Sequence, residues 1–220
     1  MKQIALIINL ILILSYELVA QIQPVQGSIL NQTQVMFECN QIKGADEYIF
    51  QVFETESGVN FDKPLLEQRD KSTATLISQL EFGKHYMWRY AAMVKKSRTE
   101  WNGPYRFEIK NDTLLNLHLL RGRVIKNETN KSAGGLFSIE YSKIIMDRTG
   151  KPVWYLPELN SKFRVSGLAR DIRFTHQGTV VFMANDNVYE CTIDGRILWE
   201  APRGGNFSGD STEYFHHDFR

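Results

Sequence analysis

The residues of this sequence best suited to chemistry are two histidines and an arginine that lead into aspartates. His216 and His217 run directly into Asp218, and Arg170 runs into Asp171. A neutral imidazole is nucleophilic and trades protons near neutral pH, while a guanidinium offers fixed donors to an oxyanion. Gathered around one pocket, such groups suit a compact anion such as sulfate, which takes charge-assisted hydrogen bonds from several directions. Arg173 and Arg220 each follow the aspartate by two residues and share its face on an extended chain. The structural alternative is that the aspartates cap the turn before a strand and the basic neighbours offset their charge. That alternative is preferred for Asp171 and Asp218. For His217 the functional reading is preferred, because packing alone gives no reason for a His-His-Asp run.

A repeat ranks these residues. Asp147-Arg148-Thr149-Gly150-Lys151-Pro152-Val153-Trp154 parallels Asp194-Gly195-Arg196-Ile197-Leu198-Trp199, and Arg170-Asp171-Ile172-Arg173-Phe174 parallels His217-Asp218-Phe219-Arg220. From Asp147 to Asp194, and from Asp171 to Asp218, the spacing is 47 residues. A period in the forties with Asp-Gly turns and a strand tryptophan marks a β-propeller, in which each blade is one four-stranded sheet. The inner strand of each blade opens on a shared channel, and the repeat sets Arg170 and His217 at equivalent positions beside it. His216 then matches Ala169 and ranks below His217. Thr179–Ala184 and Val188–Ile193, either side of Asn185-Asp186-Asn187, read as strands of one blade, with the Asp194-Gly195 turn handing on to Arg196–Trp199. A second antiparallel sandwich with coincidental repeats is the alternative.

The elements that must position this second domain come earlier. Residues 1–20 carry one cation, Lys2, then an apolar run from Ile4 to Leu14 and a final Ala20. That pattern reads as a signal peptide, too short in its apolar core to span a bilayer comfortably, with an uncleaved N-terminal anchor as the alternative, and it predicts export to the periplasm or the medium with no membrane attachment after cleavage. Residues 21–110 show short runs rich in Val, Ile, Tyr and Phe between Gly, Asn, Asp and Pro, with no helical period. Tyr48, Phe50 and Val52 share one strand face, and Tyr86, Trp88 and Tyr90 another. The fold class is therefore all-β: a sandwich at 21–110, then an incomplete propeller at 111–220. With 26 basic against 25 acidic side chains, no global field draws nucleic acid or an anionic membrane. Cys39 and Cys191 fall in different domains and read as buried free thiols, and no metal-ligand spacing is present. His85, at a turn-to-strand corner, reads as structural or solvent-facing.

Two resemblances follow from these motifs. Leu80-Glu81-Phe82-Gly83-Lys84-His85-Tyr86 and the later Trp101–Phe107 resemble fibronectin type III-like sandwiches. The export signal, the β-rich first domain, the Asp-Gly-x-x-x-Trp turn and Tyr214-Phe215-His216-His217-Asp218-Phe219-Arg220 resemble the bacterial arylsulfotransferase family over about 115–220. That resemblance implies a six-bladed propeller moving a sulfuryl group from a phenolic sulfate to another phenol, through a sulfohistidine and without a nucleotide donor or other cofactor. It implies that His217, with His216, binds sulfate or handles protons, and the repeat adds Arg170 as a candidate for substrate binding. It puts the nucleophilic histidine in a later blade, so the expectation is a fragment of a longer protein, inactive alone, with a homodimer open for the full length. The first domain resembles fibronectin type III more than anything peculiar to sulfotransferases. A rival of another class is a non-catalytic exported propeller that binds a glycan or protein partner. A quinone-binding propeller lacks its tryptophan-docking motif. Asn31-Gln32-Thr33 and Asn127-Glu128-Thr129 are glycosylation sequons that matter only in a eukaryotic host.

Overall fold

A computed structural model describes residues 22–56, 58–111, 125, 135–139, 142–157, 169–184 and 187–202. The described chain is all-β. Its first unit holds β1 (Ser28–Leu30), β2 (Val35–Glu38), β3 (Glu47–Glu54), β4 (Leu66–Asp70), β5 (Ala74–Ile77), β6 (Lys84–Val94), β7 (Ser97–Arg98) and β8 (Asn102–Ile109). One sheet runs β1-β8-β6-β3-β4 with β7 on β6, the β1–β8 pair parallel, and β2 pairs antiparallel with β5 to form the second. Period-2 alternation decides which residues meet between the sheets. Tyr48, Phe50, Val52, Tyr86, Trp88 and Tyr90 face Val35, Phe37 and Ile77 in one core, as their spacing predicts. Trp88 sits at its centre, edge-on to Phe37 at 5.2 Å, and its Nε1 donates to the Pro24 carbonyl at 3.0 Å. Burying that much aromatic surface makes this core the main source of the unit's stability.

Opposite Trp88, β8 passes so close that a Cβ on Gly103 would lie 3.0 Å from the Trp88 carbonyl oxygen. With φ at +109°, only glycine fits there.

The remaining strands are β9 (Leu136–Ile139), β10 (Ile144–Asp147), β11 (Pro152–Tyr155), β12 (Arg170–Phe174), β13 (Thr179–Ala184), β14 (Asn187–Thr192) and β15 (Ile197–Glu200). They make two antiparallel sheets, β11-β10-β9 and β12-β13-β14-β15. The second follows the strands read from the sequence, with β14 beginning one residue earlier, at Asn187. Trp154, Ile172, Val180, Phe182 and Tyr189 from the two sheets share one core.

The repeat is present in the backbone, but in a different register from the one its aspartates suggest. The N–H of Gly150 donates to the Asp147 carbonyl and that of Gly195 to the Thr192 carbonyl, so Thr192, not Asp194, occupies the place of Asp147. The pairs Ile145–Trp154 and Glu190–Trp199 stand opposite in their hairpins, and both ladders slip at the next residue, between Ile145 and Met146 and between Glu190 and Cys191. Each of these positions recurs after 45 residues, as 150 to 195 and 154 to 199 do. The 47-residue register therefore holds for no part of this hairpin. The reason is turn chemistry: the glycine at positive φ fixes the register, whereas an aspartate can cap the turn from more than one place.

Candidate functional site

Arg170 is the first residue of β12 and is exposed, between the buried Ala169 and the buried Ile172. Those two apolar side chains anchor the strand in the core while leaving the guanidinium at the surface. Arg170 pairs with Met183 but Arg173 with Val181, so the ladder bulges between them. Asp171 sits in that bulge with φ at +53°, a left-handed conformation that aspartate tolerates better than most residues. Such a bulge re-aims the side chains that flank it.

The Asp171 carboxylate is gripped by a fork. Arg173 Nε donates to Oδ1 and Nη2 to Oδ2, each at 2.8 Å. A bidentate pair of this kind neutralises the carboxylate and fixes its plane. Arg173 thus offsets the charge of Asp171 from within the strand. Arg170 makes no hydrogen bond or ion pair among the described residues, and so presents an uncompensated positive charge at the start of the strand. His216, His217, Asp218 and Arg220 lie outside the described residues, as do the signal segment 1–20 and the sequon at Asn127.

The two cysteines are free and buried, one in each unit. Burial, reinforced by Glu38 at Cys39 and by Asp194 and Glu190 at Cys191, pushes each thiol up to about 12. Both stay protonated at neutral pH and are unsuited to nucleophilic or redox roles. Among the described residues no three His, Cys, Asp or Glu side chains converge as a metal site would require.

No family model matches the chain, and none of the curated proteins matches it. A solved structure of the twitchin kinase region from C. elegans (Fn31-NL-kin-CRD-Ig26) is similar at 19% identity and a TM-score of 0.32, over 79% of this chain. The chain spans 30% of that structure's length. A likeness at that level carries no argument.

Three features went unseen in the sequence. The exposed His85 has Glu108 Oε2 3.7 Å from its Nε2, a carboxylate delivered by the neighbouring strand rather than by nearby sequence. With Arg106, Thr55 and Ile29 the pair lines a cavity of about 570 Å³ on the outer face of β6 and β8. Elsewhere on the unit, Arg89 lies 4.1 Å above the Trp101 ring and 4.7 Å above Phe61, and donates to Gln51 Oε1 at 2.9 Å. Burial, then the nearby Arg98, lowers its affinity for a proton. Between the units an apolar groove of about 280 Å³ is lined by Met36, Leu76, Leu136, Trp154 and Phe174. Each depends on long-range register, for which period-2 patterning carries no signal.

Proposed function

We propose that the chain is the exported N-terminal part of a nucleotide-independent aryl-sulfate sulfotransferase, a fibronectin type III-like sandwich followed by the first blades of a β-propeller. The sandwich reading draws support from the strand order and from Tyr86, whose Oη accepts the Glu81 N–H at 3.0 Å. A tyrosine hydroxyl tied back to the chain a few residues upstream is a feature of such sandwiches. The propeller reading draws support from the four-stranded antiparallel meander β12-β13-β14-β15 and from the repeated bulged hairpin. The observation that carries the activity is the uncompensated Arg170 at the bulged start of β12, in the sheet whose next repeat copy would bring in His216 and His217.

In this reading a histidine outside residues 1–220 attacks the sulfur of a phenolic sulfate. The bond from sulfur to the phenolic oxygen breaks, the phenolate leaves with its electron pair and takes a proton, and the sulfuryl group passes from the sulfohistidine to an acceptor phenol. His217, with His216 behind it, binds the sulfate oxygens or moves those protons, and Arg170 adds positive charge for the oxygens. The reaction belongs to the periplasm or the medium, needs no cofactor, and takes a phenolic sulfate donor and a phenol acceptor.

The test uses the full-length protein with a chromogenic phenyl sulfate and a phenol. Acceptor-dependent phenol release is expected, and its absence sinks the proposal. His217→Ala is expected to lower turnover about 100-fold or more and His216→Ala much less, a ranking that rests on the 47-residue spacing of Arg170-Asp171 and His217-Asp218 and not on the 45-residue register of the hairpin. Equal losses would overturn the ranking of the two. One observation favours the second reading, a non-catalytic module that binds a glycan or protein: the cavity at His85, Arg106 and Glu108 belongs to the first unit and lies apart from Arg170.

A further inference from the structure

We propose that Asn31–Thr33 is a strand shared by both units, which makes the first unit a structural part of the second rather than a spacer ahead of it. These residues follow β1 directly, yet they run antiparallel beside β11, with Gln32 bridged to Trp154. The N–H of Thr33 donates to the Val153 carbonyl at 2.9 Å and the N–H of Tyr155 to the Asn31 carbonyl at 3.2 Å. The three-stranded sheet β11-β10-β9 therefore gains its fourth strand from the first unit, and the edge of β11 is covered.

The Asn31 side chain extends the link to the next sheet. Its Nδ2 donates to the Tyr155 carbonyl at 2.7 Å and to the Ile193 carbonyl at 2.9 Å. One nitrogen with two hydrogens thus serves an acceptor in β11 and another in the turn that follows β14. Asn31 is 5% exposed and Thr33 1%, so both bonds are shielded from water and competition for them is weak. Trp154 Nε1 donates to the same Ile193 carbonyl at 3.1 Å, which ties the two second-unit sheets at one point. On the other flank Tyr155 Oη donates to the Lys110 carbonyl at 3.2 Å, and its ring packs 5.6 Å from Phe82 of the first unit. A short amide is the side chain this geometry needs. An isosteric carboxylate would set an acceptor against two carbonyls, and an apolar residue would take one donor from each.

The same geometry bears on modification. Asn31-Gln32-Thr33 fits the glycosylation sequon, but a glycan on Nδ2 would replace a bonded hydrogen inside a buried contact. Glycosylation at Asn31 and the shared strand exclude one another.

The experiment follows hydrogen exchange at the Tyr155 amide and thermal unfolding of the whole chain. In Asn31→Asp, exchange at Tyr155 is expected to rise at least about tenfold, the equivalent of one lost hydrogen bond. Unfolding, a single transition in the parent, is expected to split in two, with the Trp88-centred unit melting as before. Asn31→Ala keeps the backbone ladder and serves where the aspartate variant does not fold, with a smaller rise expected. Tyr155 protection and a single transition that match the parent in either variant would overturn the proposal. So would folded protein, secreted from a eukaryotic cell, that carries a glycan at Asn31 and still melts in one step.

Discussion

Trp154 and Trp199 stand at the same place in two copies of one hairpin, and they meet opposite fates. Each lies four residues after a glycine at positive φ, each faces the residue before a ladder slip, and they are 45 residues apart. Trp154 is 3% exposed, donates to the Ile193 carbonyl and meets Phe174 edge-on at 5.4 Å. Trp199 is 45% exposed, and its neighbour Leu198 is 47% exposed. The backbone register is equal, so the difference belongs to what stands beside each hairpin. The β10–β11 hairpin has β12–β15 against it, and Asn31–Thr33 along its edge. Burial of the strand tryptophan thus follows from the sheet packed against its hairpin.

The sharpest way to break that comparison is to remove each indole in turn. Trp154→Ala is expected to cost about 3–5 kcal/mol, since it opens a cavity between two sheets and leaves the Ile193 carbonyl with one donor fewer. Trp199→Ala in the same chain is expected to cost about 1 kcal/mol or less, because so much of its surface is already wet. Urea unfolding followed by the second unit's circular dichroism measures both. Equal costs would mean that the sheet packed beside the β10–β11 hairpin does not set the difference between the two tryptophans.

Much of the fold was legible from short-range pattern. The two aromatic strand faces in β3 and β6, the strands of the β12–β15 sheet and the two buried thiols follow from period-2 alternation and from glycine turns, which are local signals. The repeat register was not, because Asp147 and Asp194 look alike in sequence while their turns use them differently. Asp147 Oδ1 accepts the N–H groups of Thr149 and Lys151, whereas in the second turn it is the Thr192 hydroxyl that accepts from Arg196. At the candidate site, Arg170 was found as a strand-initial cation, but the bulge that sets its direction was not, since nothing in Arg-Asp-Ile-Arg distinguishes a bulged strand from a regular one. In the sequence Asn31 stands out only as part of a sequon. Its partners are 124 and 162 residues away, and no local pattern reports a contact at that range.

Next in size are the turn glycines, which test the equivalence from the side where the copies should agree. Gly150 has φ at +80° and Gly195 at +89°. Alanine at either forces an L-residue into left-handed backbone, and a loss of about 1 kcal/mol is expected at each. Differential scanning calorimetry of the two variants should give similar downward shifts. A large gap between them would show that one turn is held by its surroundings rather than by its own geometry.

The smallest expected effect separates the two turns by acidity. Partial burial pushes the Asp147 carboxyl up, but hydrogen bonds from the Thr149 hydroxyl and the Lys151 and Thr149 amides outweigh it and hold the group below its usual value of 3.8. A carboxylate with a depressed folded-state value stabilises the fold above its unfolded value, and that contribution fades as pH falls through the folded one. The β10–β11 hairpin should therefore loosen as pH drops below about 4, and the slope of stability against pH in that range should flatten in Asp147→Asn. Asn keeps one acceptor and the shape of the turn, so the variant isolates the charge. The Thr192 hydroxyl at the same place in the other hairpin carries no charge of its own to lose, and Thr192→Val should weaken that turn at every pH. If Asp147→Asn leaves the slope as it was, the acceptor geometry rather than the charge holds the first turn, and the two copies are more alike than their sequences suggest.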